Sequence, residues 1–255
     1  METMLNNVQL LDRLYNFWGL GSFESDYWFV GMEEGGGNSL DEVSKRLQVW
    51  TDLGATELVD NYAYHIGIDG YGLERYFEGN IKQQQTWAKL IRTFLVVKDP
   101  NAKYTSDDIK YFQAKKWGRS NSDNCLIEIF PLTSPSAYRW NYDKWSDMAI
   151  LKDRNSYKTT LRKSRVNSLI CKIDFHKPRL VLMYGMSNEY LDIWSEVSRI
   201  KFGEATKKMV YKNKFIHCGF YKESLFVITY QPSFAWSNAY WEGVGLIING
   251  LLRNN

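Results

Sequence analysis

Apolar residues at Val8, Leu11, Leu14, Tyr15 and Trp18 recur at helical spacing and predict an opening helix, which Gly19 and Gly21 stop. The period then changes. Between Tyr27 and Gly37 the chain reads YWFVGMEEGGG, a run of aromatic and β-branched residues that predicts a buried strand breaking into a glycine-rich turn. Ser39 with Glu42 three residues on is a capping-box pattern, so a helix is predicted from there to about Leu53, ending at Gly54. The segment NYAYHIGIDGYGLERYFEG, residues 61–79, reads as a long ordered loop. Helical periodicity returns from Lys82 to Val97 and from Ser106 to Lys116.

Cys125 to Phe130 predicts a strand that Pro131 stops, followed by a turn-forming SPS at 134–136. Lys158 to Phe175 predicts a basic helix. Beyond Lys177 and Pro178 the segment RLVLMYG, closed by Gly185, is apolar in the way of a strand buried on both sides of a sheet. Ser187 to Arg199 suits a capped helix, Lys214 to Cys218 and Leu225 to Tyr230 two strands, and Trp241 to Leu252 a final helix. Alternation of this kind predicts an α/β fold with a mostly parallel central sheet and helices on both faces. No linker, internal repeat or low-complexity segment interrupts it, so residues 1–255 are expected to form a single domain.

Composition narrows the chemistry. A length of 255 residues with 44% hydrophobic and 24% charged positions fits a globular protein with one sizeable core. The aromatic share of 16% fills that core or offers faces on which bases and sugars stack. A net charge of +3 permits nucleic-acid binding if the excess gathers on one face. Cys125, Cys171 and Cys218 are odd in number and lack CxxC spacing, which argues against a disulfide framework, a zinc ribbon or an iron-sulfur cluster and fits a reducing cytoplasm. The amino terminus suggests neither a signal peptide nor a membrane span. No metal site, cofactor or membrane association is expected, and the chain is expected to be a monomer.

Two segments carry candidate chemistry. Glu33 and Glu34 sit in the glycine-rich turn after the first long strand, where an α/β sheet places its ligands, although an acidic turn of no further consequence has the same composition. Late in the chain, LFVITY is followed by QPSFAWSNAYW: a Gln-Pro-Ser turn, large aromatics, then the last helix. Together, GMEEG early and QPS late resemble the uracil-DNA glycosylase superfamily, whose members carry a GQDPY-, GEAPG- or GMNPG-like loop early and an HPS-like loop late. NCLIEIFPL resembles the segment bearing the base-reading residue in the single-strand-selective branch, and RLVLMYG the central strand before the last motif. The similarity runs from about Tyr27 to the final helix.

The resemblance implies a monofunctional DNA glycosylase that flips a base out of the stack and hydrolyses its N-glycosidic bond. Cleavage builds positive charge on the sugar and negative charge on the base, so Glu33 or Glu34 would stabilise the cation and orient water while Gln231 would face the base. Glu33 aligns with the family's Asp or Asn and is the favoured carboxylate, while Glu34 replaces the usual Pro, a departure that leaves the choice between them open. Gln231 stands where the family generally has His, and a neutral amide donates a hydrogen bond without transferring a proton. Met32, Glu128, Phe130 and Tyr184 would surround the base. Uracil-specific members place Asn where this chain offers Glu128; an ionised carboxylate accepts from the exocyclic amine of cytosine. A modified cytosine is therefore implied, such as glucosylated hydroxymethylcytosine in phage DNA, which would make the enzyme an antiviral defence. The loop 61–79 would help enlarge the pocket, and His65 within it would approach the site.

DNA would be held by Gly35, Gly36, Ser134 and Ser233, with Phe234 or Trp236 as a wedge that fills the vacated stack. Lys152, Arg154, Lys158, Arg162, Lys163 and Arg165 on or before the basic helix would meet phosphates. Bland roles compete at each position: aromatic anchors for the last helix, a salt-bridged Glu128, a solvated basic face. At the level of function, excision of uracil or damaged bases in repair and a catalytically silent sensor of DNA modification remain open. A nucleotide-binding module fits less well, because no GKS or GKT follows the glycines.

Overall fold

The computed structural model describes residues 4–136, 138–234 and 237–254. In chain order they form α1 (Asn7–Asn16), β1 (Gly19–Leu20), β2 (Tyr27–Gly35), α2 (Leu40–Asp52), β3 (Leu58–Val59), α3 (Asn61–Gly67), α4 (Gln85–Lys98) and α5 (Ser106–Lys115). The second half adds β4 (Asn124–Ser134), α6 (Tyr142–Trp145), α7 (Arg154–His176), β5 (Leu180–Tyr184), α8 (Asn188–Ser198), β6 (Lys207–Tyr211), β7 (Lys214–Tyr221), β8 (Ser224–Thr229) and α9 (Asn238–Arg253). The strands make one sheet in the order β3-β1-β4-β2-β5-β8-β7-β6.

The α/β expectation holds, and the sheet is mixed. Its centre, β4-β2-β5-β8, is parallel, whereas β1 runs antiparallel to β4 and the β6-β7-β8 flank is antiparallel. Side-chain alternation on the central strands feeds two cores. Trp28, Val30, Val181, Met183, Phe226 and Ile228 face α1, α2, α7 and α8; Tyr27, Phe29, Leu180, Leu182, Leu225 and Val227 face α4, α5 and α9. Both faces are therefore dry, which is why these strands read as continuous apolar runs.

Three expectations are corrected. The segment 61–79 contains α3 and a 3-10 turn at Leu73–Tyr76, pinned by Gln113, whose amide donates to the carbonyls of Tyr76 (2.7 Å) and Lys82 (2.9 Å). Pro131 does not stop β4. It lies where the β2 register jumps, Glu33 facing Phe130 and Gly35 facing Ser134, and a bulge of this kind needs no ladder donor from proline. Side chains serve the displaced backbone: Arg13 donates to the Pro131 carbonyl (3.3 Å) and Leu132 N–H donates to the Tyr157 hydroxyl (2.9 Å). β6 has no counterpart in the sequence reading, because its Lys-rich run looks like a polar loop; lysines are also what keeps an exposed edge strand from pairing further.

Candidate active site

All four parallel strands end at the same edge of the sheet, and successive connections leave β2 toward opposite sides, to β4 and then across to β5. A crevice opens at such a switch point. Here it is a cleft of about 1290 Å³, lined by the segments that follow each strand: Gly35 and Gly36, Ser134 to Ser136, Gly185 to Ser187, and Gln231, Ser233 and Phe234. Gly36 is in the left-handed region (φ 115°), and a Cβ there would lie 2.6 Å from Arg46 and 2.7 Å from Glu42, so the turn closes over the start of α2 only as glycine.

The two adjacent glutamates line this cleft and diverge. Glu34 accepts from Arg46 Nη1 (2.5 Å) and from the Tyr64 hydroxyl (3.4 Å), with Arg13 Nη2 3.5 Å away. Arg46 is itself held by Glu42 (2.9 and 3.0 Å), whose other oxygen takes the Asn38 amide at the mouth of α2 (2.9 Å). Glu33 turns toward α7 and pairs with Arg154, which also donates to the Ser136 carbonyl (2.8 Å) and so ties down the loop after β4. Burial raises the pKa of Glu33 although Arg154 and Lys158 oppose it, and its Oε1 is buried without a hydrogen-bond partner among the described residues.

His65 sits on α3, buried and facing the same cleft. Its Nδ1 lies 2.9 Å from the Asn61 carbonyl, an acceptor only, so Nδ1 carries the proton and the neutral ring presents a bare Nε2. Burial, helped by Arg46, lowers its pKa to about 4 against the pull of Glu34. Nε2 stands 3.7 Å from Glu34 Oε1. Both atoms are acceptors, so a water molecule placed between them would donate one hydrogen to each.

Glu128 lies on β4 opposite Gly31 of β2, at the floor of the cleft. Its Oε1 is 3.4 Å from the Tyr184 hydroxyl of β5, while Oε2 is buried without a partner among the described residues. Burial, reinforced by Glu34 and Glu33, holds its pKa well above the carboxylate range. Burial thus favours the neutral acid, which donates as well as accepts, over the ionised acceptor that the resemblance implies.

Of the remaining sequence candidates, Met32, Tyr184, Ser134, Gln231, Ser233 and Phe234 line the cleft. Phe234 is 57% exposed, and Lys89 of α4 fixes its loop by donating to the carbonyls of Pro232 (2.7 Å) and Phe234 (2.6 Å). Trp236 lies outside the described residues. Phe130 is buried against Tyr157 and does not line the cleft. Arg162 and Lys163 are exposed on α7 away from the cleft lining, Arg162 pairing with Glu196 (3.3 Å). Arg165 is unavailable to phosphate: it is 2% exposed, stacks on Trp18 at 3.4 Å and donates to the carbonyls of Ile129, Phe17 and Glu128. Among the described residues no cluster of His, Cys, Asp or Glu has the geometry of a metal site, and no helix is long and apolar enough to cross a membrane.

Arg13, Arg46 and Gly31 were not foreseen in the sequence. A signal existed for two of them: Arg13 interrupts the apolar face Leu10-Leu14-Phe17, and Arg46 follows Glu42 at i,i+4. No protein-family model matches the chain, and no curated protein matches it either.

Proposed function

We propose that the chain is a DNA glycosylase that binds a flipped-out base in the cleft and hydrolyses its N-glycosidic bond, leaving an abasic site. One observation carries the reading: the carboxylate-bearing turn after β2 and the Gln231–Phe234 turn after β8, distant in sequence, line one cleft whose floor bears a hydrogen-bonding side chain. Glu34 and His65 hold the attacking water, and Glu34 faces the positive charge that grows on the deoxyribose. Glu33 with Arg154 fixes the loop after β4. Gln231 donates to the leaving base, and Phe234 enters the stack from which the base departs.

A cleft of about 1290 Å³ exceeds the ~300–1,000 Å³ that encloses a drug-sized ligand, which favours an enlarged base over uracil. Tyr71, Tyr76 and Trp87 on its outer wall offer faces for a sugar substituent. The substrate we favour is a cytosine carrying a bulky group, such as glucosylated hydroxymethylcytosine in phage DNA, with host defence as the role and the cytoplasm as its place.

Oligonucleotides bearing uracil, hydroxymethylcytosine or its glucosylated form, incubated with the protein and treated with alkali, test this. Cleavage confined to the glucosylated base supports the whole reading, and cleavage at uracil moves the enzyme to repair. Tight binding without cleavage at any base makes the protein a sensor of modification and refutes catalysis.

A further inference from the structure

We propose that Glu128 is the general acid of this site, delivering a proton to the ring nitrogen of a cytosine-type base as it leaves. The inference rests on the glycosylase reading and answers a question that reading opens, since Gln231 offers a hydrogen bond but no proton.

The geometry is specific. β4 and β5 flank β2, and at Gly31 the middle strand has no side chain, so Glu128 from one side and Tyr184 from the other meet above it at 3.4 Å. A Cβ on Gly31 would lie 2.2 Å from the Tyr184 hydroxyl and 2.6 Å from Glu128 Oε2. Leu20, Leu90 and Leu126 line the same cleft, and the Glu128 side chain is buried in it. Among the described residues no cation pairs with the Glu128 carboxyl, whereas Glu33 and Glu34 each have an arginine. The charged and titratable groups that act on it are Glu33 and Glu34 of β2, Tyr184 of β5 and Tyr190 of α8; Arg165 of α7 binds only its backbone carbonyl (3.0 Å). Burial first, then Glu34 and Glu33, favour the protonated form of Glu128 against the opposing hydrogen bond from Tyr184.

One carboxyl that remains protonated beside another held by cations is the division of labour that acid–base pairs use. The C1′–N1 bond breaks with its electrons passing to the base. Glu128 O–H gives its proton to N3 of the cytosine ring while its carbonyl oxygen accepts from the exocyclic amine. Water adds its oxygen to C1′ and loses a proton to the Glu34–His65 pair, and Glu128 is reprotonated from solvent. The products are neutral base and a 1′-hydroxyl abasic sugar. Uracil carries N3–H and has no ring nitrogen to receive this proton, so the acid also selects the base class.

Single-turnover release of base from a single-stranded oligonucleotide bearing glucosylated hydroxymethylcytosine, measured from about pH 5 to pH 9 with the full chain and with Glu128→Gln, tests the assignment. Wild type should lose about tenfold in rate per pH unit once Glu128 deprotonates, and the variant should be slower by about 10²–10⁴-fold and lack that alkaline limb. A wild-type rate that rises with pH across this range overturns the inference without any variant. So does a Glu128→Gln protein that keeps the limb, or one within about threefold of wild type. Absence of base release by wild type overturns the glycosylase reading itself, a result distinct from all of these.

Discussion

Gly31→Ala adds one methyl group and no chemistry, yet it tests where the base sits. Gly31 does not have positive φ, so its backbone accepts alanine and only space opposes the change. The new Cβ would lie 2.2 Å from the Tyr184 hydroxyl, 2.6 Å from Tyr184 Cζ and 2.6 Å from Glu128 Oε2. Carbon contacts settle near 3.5–4.0 Å, so one or both side chains must retreat by about 1 Å. Because the closest contacts are to Tyr184, only 9% exposed, relief requires that ring to shift as well as Glu128. Overpacking of this kind costs about 1–3 kcal/mol. At roughly 2–4 °C per kcal/mol for a chain of this size, the melting temperature falls by roughly 2–12 °C.

The effect on catalysis should be larger than the effect on stability. A misplacement of about 1 Å at reacting groups costs about 10²-fold, so base release should drop by about that factor while affinity for DNA, set at the rim of the cleft, stays near wild type. Thermal melts, single-turnover base release and an electrophoretic binding assay on the same preparation separate the three quantities. A folded Gly31→Ala protein with wild-type release would show that the floor between Glu128 and Tyr184 is not where the base is held.

Glu34→Gln should slow base release by about 10²–10³-fold with the fold retained, and release within about threefold of wild type would remove it from the chemistry. Phe234→Ala should leave stability within ~0.5 kcal/mol, because the ring is largely exposed, and should slow release from duplex DNA by about tenfold or more; equal slowing on single strands would refute a wedge. Arg165→Ala removes hydrogen bonds to four carbonyls, of Ile129, Tyr15, Phe17 and Glu128, and should cost at least about 4 kcal/mol in a denaturant titration, about 1 or more for each; a smaller loss would mean that water reaches them. The native pKa of Glu128 lies above its unfolded value, so between the two the native state binds more protons and stability falls as pH rises, by about 1.4 kcal/mol per pH unit. Glu128→Gln should therefore stabilise the protein at pH 8 relative to wild type and not at pH 4; a variant less stable than wild type at pH 8 would contradict a neutral Glu128.

Much of this fold was legible because its signals are local. The apolar runs of β2, β5 and β8, the Ser39 and Ser187 caps and the periodicity of α4 and α7 each follow from short-range pattern. The failures mark places where a distant partner decides. Pro131 continues a strand because Arg13 and Tyr157 take over its neighbours' hydrogen bonds from other elements. The segment 61–79 gains order from Gln113, more than thirty residues away. Arg165 looked like one more cation on a basic helix, and its burial depends on the carbonyls that β4 and the end of α1 bring to it. At the site, the residue types were readable but their ionisation preferences were not, since the raised pKa of Glu128 comes from burial and from neighbouring carboxylates.

Three glutamates within one cleft differ in nothing but their neighbours. Glu34 receives guanidinium groups from α1 and α2, and Glu33 receives one from the first residue of α7. Among the described residues Glu128 receives none, and its pKa is raised first by burial and then by the charge of the other two. A carboxyl buried without a cation has nothing to offset the loss of solvent, so the difference between the three lies in where the arginines fall. Helices on one face of the sheet bring Arg13, Arg46 and Arg154 to two of them and leave the third, whose side chain points toward the other face, without one, and in that way the packing of the fold shapes the chemistry of the site.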